Sequence, residues 1–349
     1  MRHHPNRRQM LGAIGAAILV PGMAPAAVAR GRPAMRVMLL GQSLIQRDVC
    51  AAGWPGMAAI AGRLRRADVV FTDLETAIEA PGAGAPTRAG EVLHAARPEV
   101  IDCLKKLGVT MVTTANNHAW DLATGGIVSA IGELDRRGIV HAGTGPDLAA
   151  AAAPASQRTA RGTVALVAAA AGAIRDGAAA AANRAGVNEL RRRADGSLEP
   201  MDVARVLDAI RNARASGATV LMCLHNHYWE PVPAVTPPWQ RDFARACVDA
   251  GAAAFVGHGP PMMQPHELYR GAPLFHGLGN FIFQTRKADG AYQAETWRSV
   301  IVDARFADGR FVDARLIPIM LDPAKDGEFS RGVPRLASGP FTTLSGGRP

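Results

Sequence analysis

Apolar runs of about five residues recur along the chain, each closed by a polar residue or a glycine and spaced widely enough to leave room for a helix. Met35–Leu40 stops at Gly41, Asp68–Thr72 leads into Asp73-Leu74-Glu75, and Val109–Thr113 leads towards Asn116-Asn117-His118. Three later runs end the same way. Val220–Leu224 meets His225-Asn226-His227, Ala252–Val256 meets Gly257-His258-Gly259-Pro260-Pro261, and Leu274–Leu278 meets Gly279-Asn280-Phe281. Between them the pattern predicts helices over 58–66, 98–107, 125–137, 201–215 and 238–250, with Pro98 at an opening turn and Gly138 as a stop. Ala307-Asp308-Gly309 between two apolar stretches predicts a hairpin. Residues 170–200 read as an irregular or helical excursion, with the position of a lid, and the segment 321–349 reads as an irregular tail over the surface. Strands alternating with helices, plus a terminal hairpin, imply an α/β layered fold with mixed sheets.

His and Asn at the carboxyl ends of buried strands are where open α/β sheets place ligands and chemistry. The rest of the composition narrows the setting. Of 349 residues, 48 % are apolar, enough for a sizeable core, whereas aromatics at 5 % are too few for stacking platforms. The net charge of +9 is scattered rather than arrayed in runs with aromatics, which argues against specific nucleic-acid binding and fits solvated helix faces or an anionic polymer. Residues 1–29 read as an export leader, with twin arginines at Arg7-Arg8, a short apolar stretch from Leu11 to Val20, and an A-x-A site at Ala27-Val28-Ala29. Secretion through an ordinary leader, or an uncleaved anchor, is the alternative. Either way the expected location is periplasmic or extracellular, and no run of the mature chain is long and apolar enough to be a membrane helix. None of the four cysteines has metal-ligand spacing, and their pairing is not readable from sequence.

Taken in order, Asp73-Leu74-Glu75-Thr76, Ala115-Asn116-Asn117-His118-Ala119-x-Asp121, His225, Gly257-His258-Gly259-Pro260, Glu267 and Gly279-Asn280-Phe281 resemble the CapA, or poly-γ-glutamate capsule biosynthesis, family. That family is similar to calcineurin-like metallophosphoesterases. The resemblance spans residues 36–320 and implies one domain over 35–320, a four-layer α/β/β/α sandwich with mixed sheets, and a metal site at the strand ends. Carried over residue by residue, it implies Glu75, Asn117, His225 and His258 as ligands of a divalent ion (Mn, Zn or Fe), with His227 an alternative if the register differs. His118 is implied as the catalytic acid and Asp121 as the group that orients its ring. Asp73 stands where the family has Asn and offers a second oxygen; Glu267 and Asn280 fall where they could line the site. Two positions depart from the pattern. Gln42 follows Gly41 where an Asp ligand is expected, and Pro261 stands where a second His is expected. Both belong by that logic to the same metal, so the resemblance implies one ion kept and the other lost.

Two functions stay open on these residues. One is a metal-dependent hydrolase or transferase acting in exopolymer or cell-envelope metabolism, alongside exopolymer synthesis proteins. The other is a non-catalytic protein that binds or assembles an anionic polymer. A lone His at a strand end is ordinarily structural, and Gly279-Asn280 could be a turn only. No G-x-S-x-G elbow is present to support an unrelated hydrolase.

Overall fold

The longest apolar runs become neighbouring parallel strands in two sheets. This computed structural model describes residues 33–229, 232–323, 331–339 and 342–346; the expected leader lies outside them. In the first sheet Met35–Leu44, Val69–Leu74, Met111–Thr113 and Val140–Ala142 run parallel, with Val37 beside Val69 and Phe71 beside Met111. The other edge of Met35–Leu44 is shared. Its first half pairs antiparallel with Arg298–Ala307, and its second half pairs parallel with Asn280–Phe283. Arg298–Ala307 turns back into Arg310–Leu321 as expected, with Asp308 and Gly309 at φ 50° and 73°, the left-handed values a tight hairpin requires. In the second sheet Gly162–Ala171, Thr219–Asn226, Ala254–His258 and Ala272–Phe275 are parallel; Ala155–Thr159 and His266–Tyr269 close the edges antiparallel.

Successive side chains of a strand point to opposite faces, and the core divides accordingly. Met38, Leu40, Val70 and Val112 pack against Ile60, Leu64, Leu104 and Leu134 from the helices Met57–Leu64, Glu99–Leu107 and Ala123–Arg137. Their neighbours Val37, Leu39, Phe71 and Met111 pack instead against Leu166, Ala168, Leu221, Cys223 and Val256 of the second sheet. The far face of that sheet, with Val167, Val220, Met222 and Phe255, meets Val206, Ile210 and Phe243 of the helices Pro200–Ala215 and Pro238–Asp249. The core therefore has three strata: helix on sheet, sheet on sheet, and sheet on helix. Strands covered on both faces carry apolar residues at every position, which is why they read as unbroken runs.

Of the two readings of residues 170–200 the irregular one holds: 172–199 contain no helix, and the segment is tied down along its length. Asn188 donates to Ala168 O at 2.8 Å, Arg205 reaches Asn188 Oδ1 at 3.0 Å, and buried Asp202 accepts from the Arg191 backbone and from both guanidiniums at 2.7–3.0 Å. The expectation of an irregular tail is corrected. Pro334–Leu336 and Thr342–Ser345 add to the exposed edge of Arg310–Leu321, covering a twelve-residue strand that would otherwise offer unpaired backbone groups. The pairing that sequence left open is Cys50–Cys103, which joins the short helix Val49–Ala52 to Glu99–Leu107; Cys223 and Cys247 are free and buried. No helix among the described residues is long and apolar enough to cross a membrane.

Asp202 yields a stability prediction. Burial would raise its carboxyl, but the Arg191 and Arg205 contacts prevail and hold it below the usual range. Asp202→Ala should cost about 2–3 kcal/mol, less than a fully buried pair because Arg191 is largely exposed. A depressed carboxyl stabilises fully above its unfolded value near ~4 and loses that contribution as pH falls through the folded value. Urea midpoints between neutral and acid pH should therefore fall more steeply for the native protein than for Asp202→Asn; parallel slopes would assign Asp202 no such role.

Candidate functional site

The carboxyl ends of Val69–Leu74 and Thr219–Asn226, one from each sheet, meet at His225. Its ring is fully buried, with Nδ1 2.7 Å from Asp73 Oδ2, and Nε2 2.9 Å from Asn117 Oδ1 and 3.9 Å from Glu75 Oε1. Asp73 spends its other oxygen on Asn116 Nδ2 at 3.0 Å. The same amide donates to Leu74 O at 2.8 Å and accepts the His118 backbone N–H at 3.0 Å, so Asn116 shapes the turn that presents Asn117 and His118. Asp73 thus orients His225 through one oxygen and holds Asn116 with the other.

The hydrogen bonding around His225 Nε2 turns on the ring's tautomer. When the Asp73 carboxylate accepts from Nδ1–H, Nε2 is a bare lone pair facing the amide oxygen of Asn117 and the carboxylate of Glu75. Glu75 Oε2 is buried without a hydrogen-bond partner, and so is His227 Nε2. Ligand atoms of Glu75, His225 and His227 lie within 4.8 Å of one another. Burial, then the charges of Asp73 and Asp121, push the Glu75 carboxyl well above its usual range against the pull of Arg88. Burial also lowers His225 and His227 to about 3, so both rings are neutral and able to ligate. Asp73 is raised by burial to about 7, with His258 and Asn116 opposing. A buried carboxyl, an amide oxygen and two neutral imidazoles, with Glu75 Oε2 and His227 Nε2 unpartnered, are a donor set that one divalent cation satisfies once Glu75 gives up its proton.

The sequence placed His258 in this group, and the structure places His227 there instead. His258 Nε2 lies 3.0 Å from Leu40 O, a carbonyl that accepts its N–H, while Nδ1 faces Cys223 Sγ at 3.5 Å and stays 3.9 Å from Asp73 Oδ2. Glu267 is elsewhere, on an edge strand, paired with Arg245 at 3.0 Å and His276 at 3.4 Å. Asn280 fastens backbone, donating to Pro261 O at 2.8 Å and Thr296 O at 3.1 Å. Gln42 Oε1 accepts from Gly259 N at 2.8 Å, so Gln42 and the loop leading to Pro261 do lie side by side. Gly259 is at φ 110°, and a Cβ there would stand 2.0 Å from Asn226 O; the loop clears the neighbouring strand end because that atom is absent. A second cluster, Asp48 with Cys50 and Cys103, is not a metal candidate, since its sulfurs form the disulfide.

Beside the centre lies an imidazole–carboxylate pair. His118 Nδ1 is 2.8 Å from Asp121 Oδ2, which also accepts the His94 backbone N–H at 2.8 Å. Arg88 Nε stands 2.8 Å from Asp121 Oδ1, an ion pair out of line for a hydrogen bond, and Arg88 Nη2 donates to Asn117 O at 2.7 Å. The His94 ring lies 4.1 Å from that of His118, with Nδ1 beside Gln46 Nε2 at 2.9 Å. Burial, then Arg88, His227 and His225, hold His118 well below its usual value, and burial raises Asp121 to about 6. The resting ring is therefore neutral, with Nδ1–H on Asp121: its free nitrogen accepts a proton before it can return one. Arg88 and His94 escaped the sequence reading because neither falls in a periodic or motif context.

Residues 36–285 match the family described as bacterial capsule synthesis protein PGA_cap. The chain belongs to that family. PGA_cap relatives include "Uncharacterized protein y4sH" of Sinorhizobium fredii, 30 % identical over 302 residues, 71 % of this chain and 66 % of that protein. "PGA biosynthesis protein CapA" of Bacillus subtilis is 30 % identical over 196 residues, 55 % of this chain and 48 % of that one. "Capsule biosynthesis protein CapA" of Bacillus anthracis is 27 % identical over 212 residues, 58 % and 48 % respectively. The PGA_cap chain thus spans between about half and just under two thirds of these relatives' length. Among solved structures, Haemophilus influenzae NAD nucleotidase covers 88 % of this chain and 60 % of its own at 9 % identity and a TM-score of 0.42, too loose a likeness to bear on function.

Proposed function

We propose that this PGA_cap chain is an exported accessory protein of exopolymer synthesis, of the poly-γ-glutamate type, built around a single-cation centre. The observation that carries the reading is the convergence of Glu75, Asn117, His225 and His227, with Glu75 Oε2 and His227 Nε2 buried and unpartnered. Relatives named for capsule and PGA biosynthesis support the polymer, and the Cys50–Cys103 bridge supports an oxidising compartment.

Glu75, Asn117, His225 and His227 would hold the ion. Bound there, it would supply Lewis-acid polarisation of an ester or amide oxygen. Asp73 fixes the His225 tautomer so that Nε2 faces the centre. His118 would take a proton at Nε2 from the water that attacks the ester or amide carbon or phosphorus and return it to the departing oxygen or nitrogen, while Asp121, itself held by Arg88, keeps the ring in place. The alternative, a non-catalytic polymer-binding protein, is favoured by Gln42 and Pro261, which stand where the family resemblance implies ligands of a second ion.

Metal analysis and turnover separate these. Purified protein should carry about one divalent ion per chain. With Mn added, hydrolysis of generic phosphoesters or γ-glutamyl amides should fall ~100-fold or more in His118→Ala. Metal without turnover favours the binding protein; two ions per chain, or none after supplementation, sinks the single-cation centre.

A further inference from the structure

A second cleft opens at the other end of the sheets. It has a volume of about 710 Å³, and Arg214, Arg270, Arg310 and Asp249 line it together with Ala253 and Phe311. Ala252-Ala253 lead into the strand Ala254–His258, whose far end approaches Asp73, so the length of that strand, roughly 13 Å, separates the cleft from the candidate centre. Arg214 comes from the last turn of Pro200–Ala215, Arg310 opens the strand after the hairpin, and Arg270 sits in the turn before Ala272–Phe275.

Arg270 already pairs with Asp249 at 2.8 Å and lies 5.4 Å over the Tyr269 ring. Among the described residues neither Arg214 nor Arg310 forms an ion pair or donates a side-chain hydrogen bond. Arg214 is nonetheless held in place, half-buried, across two glycines. A Cβ on Gly251 would stand 2.9 Å from its Cγ, and one on Gly309 1.9 Å from Nη1, with φ of 116° and 73° at the two positions. Elsewhere arginines reach a buried carboxylate: Arg191 and Arg205 share Asp202, and Arg88 faces Asp121. Here Arg214 and the exposed Arg310 have no acidic partner among the described residues, and Asp249 answers Arg270 alone.

We propose that this cleft binds a chain of carboxylates, apart from the metal centre. Planar guanidinium forks match carboxylate oxygens in pairs, and the volume suits a ligand of several residues rather than one inorganic anion. The choice of carboxylate rests on the exopolymer reading above; the unmatched arginines do not depend on it.

The test is fluorescence anisotropy with a labelled hexa-L-glutamate peptide at low ionic strength. The full chain is compared with Arg214→Ala/Arg310→Ala and with His225→Ala, melting temperature and metal content being read on each. The double arginine variant should bind the peptide at least ~10-fold more weakly at unchanged metal content and melting temperature. His225→Ala should lose metal and keep the peptide. Arginine-variant binding equal to the native protein's, no binding by the native protein, or equal loss in His225→Ala would overturn the site. Displacement of the peptide by stoichiometric inorganic phosphate would overturn the carboxylate assignment. Absence of metal in the native protein with peptide binding intact would count against the metal centre alone.

Discussion

Replacing His225 with alanine should strip the protein of its ion. Loss of an outer partner of a ligand ordinarily weakens metal affinity ~10–100-fold, and removing the ligand costs more. His225 is also the one imidazole whose two nitrogens are both committed within the site, to Asp73 and to Asn117. Chelator-competition titration across four variants makes the expectation specific. His225→Ala should retain almost no metal, and His227→Ala and Glu75→Gln should each lose much of it. His258→Ala should lose stability instead, because the ring bonds Leu40 O and packs between the sheets, while its metal content stays near one. Asp73→Asn should fall between, ~10–100-fold weaker, since an amide no longer compels the Nδ1–H tautomer. Equal metal loss in His258→Ala and His227→Ala would return the centre to the ligand set implied by sequence.

Removing the disulfide should give the largest loss of stability. Cys50 and Cys103 are separated by 53 positions, and closing a loop of that size in the unfolded chain corresponds to about 4 kcal/mol in the chain-entropy treatment. The loop contains Asp73, Glu75, Arg88 and His94, so the bridge restricts half of the candidate site as well as two helices. Cys50→Ser/Cys103→Ser and reduced native protein should show the same lowered urea midpoint, with far-UV structure retained at zero denaturant. A midpoint unmoved by reduction would show that the packing of Val49–Ala52 on Glu99–Leu107 suffices without the bond.

The parallel strands were legible because each is covered on both faces and so carries an unbroken apolar run; the hairpin was legible because Asp308-Gly309 fits few other conformations. The edge strand Ala155–Thr159 was not, since none of its residues is fully buried and its pattern is weak. Nor were the tail strands, which exist through pairing with Arg310–Leu321 rather than through their own propensity. In the site, the motifs brought Glu75, Asn117, His118, Asp121 and His225 to one end of the molecule. What they did not carry was the state of each nitrogen. His258 stands beside His225 in register, yet a carbonyl from the other sheet already occupies it, and His227, two residues beyond His225, is the ring left with a bare nitrogen. Arg88 and His94 arrive through a loop whose path depends on long-range contacts.

Four polar contacts cross from one sheet to the other at the candidate centre: His225 to Asp73, His225 to Asn117, His258 to Leu40, and Gly259 to Gln42. Below them the sheets meet through small and aliphatic side chains, whose fit tolerates exchange as long as volume is kept. The polar ends have no such latitude, because a donor without its acceptor there is a buried loss. Changing one member of any of these pairs would therefore strand its mate across the seam, whereas a volume-conserving change lower down would not. The two halves of this fold are keyed to one another by a handful of atoms at one end.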